Sequence, residues 1–129
     1  MTGPVTGPAE VALTRFADLV DARDWERLPD VLAPGFSARF VHTGETFDRD
    51  GFVALNRDYP IVVRFLVEDL VATGDRAVLR ARVTDGSDTW HVASFATVSA
   101  DGLITDLVEV WADTAGPESE RRPDVDGAS

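Results

Sequence analysis

The sequence predicts a single α+β domain in which a cone-shaped, curved antiparallel sheet wraps over three N-terminal helices. Apolar residues recur at helical spacing in the first part of the chain and alternate at strand spacing in the second. Glycine-containing turns separate the strands, and no strand–helix–strand rhythm indicates a parallel sheet. The predicted element order is α-α-β-α-β-β-β-β, with space left between the sheet and the helices.

Composition sets the bounds of this domain. The chain has 129 residues, of which 44% are hydrophobic, enough for one domain with a core. Residues 1–8 hold two Gly-Pro pairs and little that can pack, and residues 114–129 are mostly Gly, Pro, Ser and charged residues, so we expect two disordered tails. The folded domain is predicted at residues 9–113.

Three helical segments are predicted before the main run of strands. The first covers residues 9–22, where apolar side chains lie on one face. A second, short helix is predicted to begin after Asp24, which serves as its N-cap, and to end at Pro34-Gly35. A third follows the Asp48–Gly51 segment and ends before Pro60, because the residue before a proline disfavours helical geometry.

The strands follow from alternating side chains between turn sequences such as Asp101-Gly102. In the first strand, Phe40 and His42 are expected on the same face. In the last strand, Glu109 and Trp111 are expected on one face and Val110 on the other. The five predicted strands are Phe36–His42, Ile61–Ala72, Arg76–Thr84, Thr89–Val98 and Leu103–Asp113.

Charge and residue usage exclude several function classes. The net charge of -11 argues against nucleic acid and anionic membranes as partners. The chain has no lysine for a Schiff base or a P-loop, and no cysteine for a disulfide or a thiolate nucleophile. No long apolar run or export signal is visible, so we expect a cytoplasmic protein. No metal-ligand spacing or nucleotide fingerprint occurs, so we expect no cofactor.

Four stretches carry a resemblance to a known family: residues 15–25, 48–52, 101–104 and 109–113. In their order and spacing they resemble the nuclear transport factor 2-like superfamily, which includes SnoaL-like cyclases, ketosteroid isomerases and limonene epoxide hydrolase. The resemblance implies an α+β barrel around one apolar pocket and a homodimer formed through the sheet. It does not fix a reaction, because this fold hosts enzymes and non-catalytic binders.

The resemblance also implies which catalytic groups are missing. Ketosteroid isomerases carry a Tyr, a base Asp, a second Asp and a supporting Tyr at the positions that match Phe16, Phe40, Ser94 and Asn56. Steroid isomerisation by that mechanism is therefore not expected, and these four residues are instead expected to line the pocket together with Trp90 and Trp111. The Arg–Asp strand of limonene epoxide hydrolase matches the region of Arg82, but strand alternation turns Arg82 outward.

Glu109 is the sharpest catalytic candidate. The resemblance places Trp111 in the pocket wall, and strand alternation then puts Glu109 inside beside the indole. Burial there would raise the carboxyl pKa towards neutrality and suit proton transfer. The alternative is that Glu109 pairs with an arginine at the sheet edge or across a dimer contact.

Other polar side chains are candidates to assist. His42 could reach the pocket mouth and pair with Glu109, or simply end a strand. His91 faces outward if Trp90 and Ser94 face the pocket, and becomes a pocket base if that phase is wrong by one residue. Tyr59 could donate a hydrogen bond to a substrate or only pack at the helix end.

The leading hypothesis is a cofactor-free acid–base enzyme, an isomerase, cyclase, dehydratase or epoxide hydrolase, acting on a small apolar or polyketide-like molecule. The alternative is a non-catalytic binding or dimerisation module. A deep cavity into which polar groups converge favours the enzyme, whereas a filled or purely apolar cavity favours the binder.

Overall fold

The computed structural model describes residues 7–113, so most of the predicted N-terminal tail and all of the predicted C-terminal tail lie outside the described residues. The described part is a six-stranded curved sheet packed on helices. The α-helices are α1 (Pro8–Ala22) and α2 (Arg49–Arg57), with a 3₁₀ helix at Leu28–Val31. The strands are β1 (Leu32–Phe40), β2 (Thr46–Asp48), β3 (Arg64–Thr73), β4 (Arg76–Thr84), β5 (Thr89–Val98) and β6 (Ile104–Asp113).

The prediction of three N-terminal helices is wrong at the second helix. After Asp24, whose carboxylate accepts a hydrogen bond from the Arg27 backbone N–H at 3.3 Å, the chain makes only turns and one 3₁₀ helix. Pro29 lies in that 3₁₀ helix and lacks a backbone N–H, which limits helical hydrogen bonding there. Pro34 and Gly35 lie exposed inside β1, where the register with β6 shifts, rather than ending a helix.

The prediction of a wholly antiparallel sheet is wrong for one strand pair. The strand order is β2-β1-β6-β5-β4-β3, and β1 pairs with β6 in parallel. These two strands are distant in sequence and no hairpin turn joins them, so their pairing could not be predicted from a turn sequence. The short strand β2, which was not predicted, pairs antiparallel with β1 after a turn at residues 41–45.

Helix α1 lies against β3, β4, β5 and β6 and buries one face of its amphipathic pattern. The core includes a cluster of four phenylalanine rings. The centroid of the Phe16 ring lies 6.2 Å from that of Phe52 and 6.4 Å from that of Phe65, and the centroids of Phe36 and Phe52 lie 5.4 Å apart. This cluster links α1, α2 and the sheet. On one side of it, the two helices and the sheet leave an open cavity.

Helix α2 begins with a side-chain cap. The Asp48 carboxylate accepts a hydrogen bond from the Gly51 backbone N–H at 2.7 Å, which satisfies one of the free donors of the first turn. The cap fixes where α2 starts, and α2 in turn supplies one wall of the cavity.

Candidate active site

A cavity of about 620 Å³ lies between α1, α2, the segment after α2 and one face of the sheet. Its size is typical of a small-molecule site. Its wall is mostly aromatic and aliphatic. The lining residues are Phe16, Val20, Arg23, Trp25, Phe40, His42, Glu45, Phe52, Leu55, Asn56, Tyr59, Ile61, Val63, Phe65, Val83, Trp90, Glu109, Trp111, Ala112 and Asp113.

Exposure divides this lining into an inner end and a mouth. The buried inner residues are hydrocarbon except for Glu109, whereas His42, Glu45, Tyr59 and Asp113 are exposed at the mouth. All three tryptophans of the chain belong to the lining. A ligand in the cavity would therefore meet apolar walls, one deep carboxyl group and a polar rim.

Strand geometry places Glu109 in the cavity. Successive side chains of β6 point to opposite faces, so buried Leu107 and Glu109 share the helix-facing side while Val110 is exposed on the other. β6 lies between β1 and β5, and its register sets Glu109 beside Phe40 on one side and Ser94 on the other. Glu109 is consequently only 3% exposed.

Two donors hold the Glu109 carboxyl group. Ser94 donates its hydroxyl to Oε2 at 3.1 Å, and Trp111 donates its indole N–H to Oε1 at 3.0 Å. Burial raises the pKa of Glu109 to about 7, while the hydrogen bonds from Trp111 and Ser94 act in the opposite direction. The group therefore changes protonation state near neutral pH. The predicted alternative, an ion pair with an arginine, is absent among the described residues.

The predicted assisting residues fall into different places. His42 lies in the turn beyond β1, with its ring stacked 5.9 Å from Phe40, and lines the mouth. Asn56 lines the same cavity, and its amide nitrogen donates to the Phe52 carbonyl at 2.8 Å. Tyr59 is half exposed at the mouth. Within residues 7–113, the Glu109 carboxyl group is hydrogen-bonded to Ser94 and Trp111 and not to His42.

His91 is not brought to the site. It lies on β5 opposite Arg82 and Ala112, outside the cavity lining and on the same face as the exposed Phe95. The structure agrees with the outward-facing alternative and not with His91 as a pocket base, because Trp90 takes the cavity side of the strand. Arg82 also faces away from the cavity, where it pairs with Glu68 at 3.4 Å.

Ser94 was predicted as a lining residue but lies behind Glu109, fully buried, and contacts the cavity only through that carboxyl group. Two lining residues were not predicted. Trp25, which was expected in the second helix, packs against the core and also lines the cavity, and Arg23 lies in the break between the two predicted helices. The structure turns the chain at Arg23, which brings both side chains to the cavity.

Within the described residues, no group of three or more His, Asp or Glu side chains is placed to hold a metal ion. In the same part of the chain, no helix is long and apolar enough to cross a membrane.

The fold agrees with comparisons to known proteins. The family model of the SnoaL-like domain matches residues 13–107, which is most of the described chain. The chain belongs to the SnoaL-like family. No curated protein sequence matches this SnoaL-like domain.

Three solved structures show how widely the SnoaL-like domain shares its fold. A Kribbella flavida protein provisionally named a ketosteroid isomerase is 22% identical, with 92% of this chain and 90% of that chain covered and a TM-score of 0.80. An LEH-like epoxide hydrolase from M. tuberculosis is 15% identical, with 81% and 82% covered and a TM-score of 0.69. IdmH from Streptomyces antibioticus, provisionally named a polyketide cyclase, is 18% identical, with 82% and 92% covered and a TM-score of 0.69.

These likenesses establish an NTF2-like fold for the SnoaL-like domain and leave its reaction open. Its own lining is the better guide to chemistry. Phe16 and Phe40 contribute hydrocarbon where the sequence resemblance to ketosteroid isomerases called for polar groups, and Glu109 is the acidic group at the inner end.

Proposed function

We propose that this SnoaL-like domain is a cofactor-free enzyme in which Glu109 moves a proton on a small, largely apolar substrate. One observation carries the proposal: a buried carboxyl group, held by two donors, lies at the inner end of a cavity of about 620 Å³ whose other buried lining residues are all apolar. Burying a carboxylate costs folding free energy, and carboxyl groups perturbed in this way are concentrated at functional sites.

The protonation state of Glu109 suits either direction of transfer. With a pKa of about 7, both the carboxylate and the carboxylic acid are well populated at neutral pH. The carboxylate can take a proton from a carbon acid, and the resulting acid can return it at another substrate atom. Each carboxyl oxygen accepts one protein hydrogen bond, which leaves lone pairs for the substrate.

The reactions compatible with this site are isomerisation, cyclisation, dehydration and epoxide opening, since each needs a proton transfer and no redox step. The walls supplied by Phe16, Phe52 and Trp90 favour an aromatic or polyketide-like body. The NTF2-like neighbours named for isomerase, epoxide hydrolase and cyclase activities are consistent with this range of reactions.

A non-catalytic small-molecule binder is the second candidate, and one observation favours it. Apart from Glu109, the buried lining residues described here are all hydrocarbon, so no second polar group opposes the carboxyl group at the inner end. An enzyme would then need its substrate, or the polar rim, to stabilise developing charge.

A base-sensitive probe reaction tests whether Glu109 can act as a base in the cavity. In 5-nitro-1,2-benzisoxazole, removal of the C3 proton by a base breaks the ring N–O bond and releases a coloured cyanophenolate. We expect the chain to accelerate this ring opening, with a rate that rises through a pH of about 7. Glu109→Gln should lower the rate by at least about 100-fold, the usual contribution of a general base.

The matched control is Glu45→Gln, which removes an exposed carboxylate at the mouth of the same cavity. It should retain the rate and the pH midpoint. Equal rates for wild type and Glu109→Gln, with both folded, would reject the catalytic role and favour the binder.

The expected homodimer belongs to the same proposal. The sheet face away from the helices exposes Phe95 and Val110, each 41% exposed, and this face is where we expect two copies to pair. Light scattering after size exclusion should show a dimer for the wild type and a monomer for Phe95→Glu. A monomeric wild type at micromolar concentration would reject it.

A further inference from the structure

Arg23 occupies an unfavourable backbone conformation at the edge of the cavity. It has φ 58° and ψ 38°, and in the described chain it is the one residue other than glycine with positive φ. The Arg23 N–H bonds to the Val20 carbonyl and the Asp24 N–H to the Leu19 carbonyl, a helix-ending motif that prefers glycine at this position. Arginine is strained at this position where glycine would not be, so Arg23 is held there at a cost in backbone free energy.

The side chain of Arg23 is directed to the cavity wall. Its guanidinium carbon lies 5.7 Å from the centre of the Trp25 ring, and both residues line the cavity. Stacking on an indole holds the planar guanidinium in place while its N–H donors stay available.

The acidic neighbours of Arg23 are committed to other arginines. Asp21 pairs with Arg64 at 2.8 Å, and Asp24 pairs with Arg27 at 2.9 Å. No carboxylate lies within 4 Å of the Arg23 guanidinium among the described residues. In a chain with net charge -11, an unpaired arginine at a ligand cavity is a local exception to the acidic surface.

Arg23 is also the sole arginine in the described lining. The acidic lining side chains are Glu45, Asp113 and Glu109, so within the described lining an anionic group meets a permanent positive charge only at the Arg23 guanidinium. The planar fork of an arginine binds a carboxylate or sulfonate through two parallel hydrogen bonds.

We propose that Arg23 is an anion-binding subsite, so that the natural ligand is an organic acid with its apolar body in the cavity and its anionic group against Arg23. This inference rests on the proposed use of the cavity as a ligand site, and it does not require Glu109 to be catalytic. It narrows the ligand from any apolar molecule to an amphipathic acid.

A matched pair of fluorescent probes tests the subsite. 1-Anilinonaphthalene-8-sulfonate and N-phenyl-1-naphthylamine share an aromatic skeleton, and only the first carries an anion. Because all three tryptophans line the cavity, energy transfer from tryptophan to the naphthalene reports entry. We expect Arg23→Gln to lower the affinity for the sulfonate probe by about 10-fold, which is typical of a lost charged contact. The affinity for the neutral probe should fall by less than about twofold.

Arg15→Gln is the control, since Arg15 is an exposed arginine of α1 outside the lining. It should leave both affinities unchanged. Equal weakening of both probes by Arg23→Gln would mean that Arg23 only shapes the wall, and no weakening of either would mean that it binds no anion. Either result overturns the inference, as does a wild type into which neither probe enters.

Arg23→Gly allows the melting temperature to be measured without a ligand, in addition to probe binding. Glycine adopts positive φ without strain, so we expect a melting temperature at or above that of the wild type, together with the weakened sulfonate binding. A melting temperature several degrees lower would assign Arg23 a structural role on Trp25 and contradict the inference. If the probes behave as expected but the benzisoxazole reaction does not depend on Glu109, the anion subsite stands and the catalytic proposal falls.

Discussion

Trp111 donates its indole N–H to Glu109 Oε1 at 3.0 Å, and the two residues are neighbours on the same face of one strand. The pleat of β6 therefore brings the acid and its donor together without any long-range contact. The second donor, Ser94, comes from the adjacent strand. The protonation of Glu109 is set by these two bonds against burial, and each contribution can be changed separately.

Trp111→Phe should raise the pKa of Glu109 above about 7, because it removes a donor that favours the carboxylate and keeps an aromatic wall. The pH midpoint of the benzisoxazole reaction should move upward, and Ser94→Ala should move it in the same direction by less. Trp90→Phe is the control, since Trp90 lines the cavity without bonding to Glu109. A midpoint that falls in Trp111→Phe would contradict this account.

The raised pKa of Glu109 makes folding stability depend on pH. Between the ordinary value of 4.5 and about 7, the folded state binds a proton that the unfolded state has released, so stability falls as pH rises through this window. The full effect is of order 3 kcal/mol. Glu109→Gln should lack this fall, so its unfolding free energy relative to that of the wild type should increase between pH 5 and pH 8.

Urea denaturation of both proteins at several pH values measures that difference directly. Glu45→Gln serves as the comparison, because its exposed carboxylate should not produce the same trend. A constant difference between wild type and Glu109→Gln across this range would show that Glu109 is not protonated near neutrality.

Asp21 connects the end of α1 to the start of β3. Its carboxylate accepts hydrogen bonds from Arg64 Nε at 2.8 Å, from Arg64 Nη2 at 3.0 Å and from the Phe65 backbone N–H at 2.9 Å. The Arg64 side-chain hydrogen bond holds the pKa of Asp21 below its ordinary value. Asp21→Ala should cost about 1–2 kcal/mol of unfolding free energy at pH 7, allowing for the exposure of the pair.

The pH dependence at Asp21 has the opposite sign to that at Glu109. Because the pKa of Asp21 is lowered on folding, its stabilisation is present at neutral pH and is lost as pH falls below about 4. The difference in unfolding free energy between wild type and Asp21→Ala should therefore shrink in acid. A difference that persists unchanged well below that pH would contradict the ionic contribution.

The start of α2 depends on the pairing of Asp48 with Gly51. Asp48→Ala should cost about 1 kcal/mol by removing the cap. Gly51→Ala should also destabilise the fold, because its Cβ would lie 2.9 Å from Asp48 Oδ1 and displace the capping carboxylate. In the double variant the two losses should be less than additive, which thermal melts of all four proteins can measure.

Much of the fold could be predicted from local pattern. Helical spacing located α1, the Asp48 segment located α2, and alternation between glycine turns located β3 to β6. The prediction of a second α-helix was wrong. Asp24 does accept a capping hydrogen bond, but Pro29 lacks a backbone N–H, and the segment forms only one 3₁₀ helix. The parallel pairing of β1 with β6 could not be predicted from hairpin signals, since the two strands are far apart in the sequence.

The sequence by itself determined that Glu109 and Trp111 share one face of the last strand, because alternation is a local property of extended chain. Only the tertiary structure decided that this face closes a cavity, that Ser94 supplies a second donor across the β5–β6 register, and that His91 faces away. The turn that brings Arg23 and Trp25 to the same cavity was also decided there. A pKa near 7 results from burial, and burial depends on residues distant in the chain rather than on neighbours in the sequence.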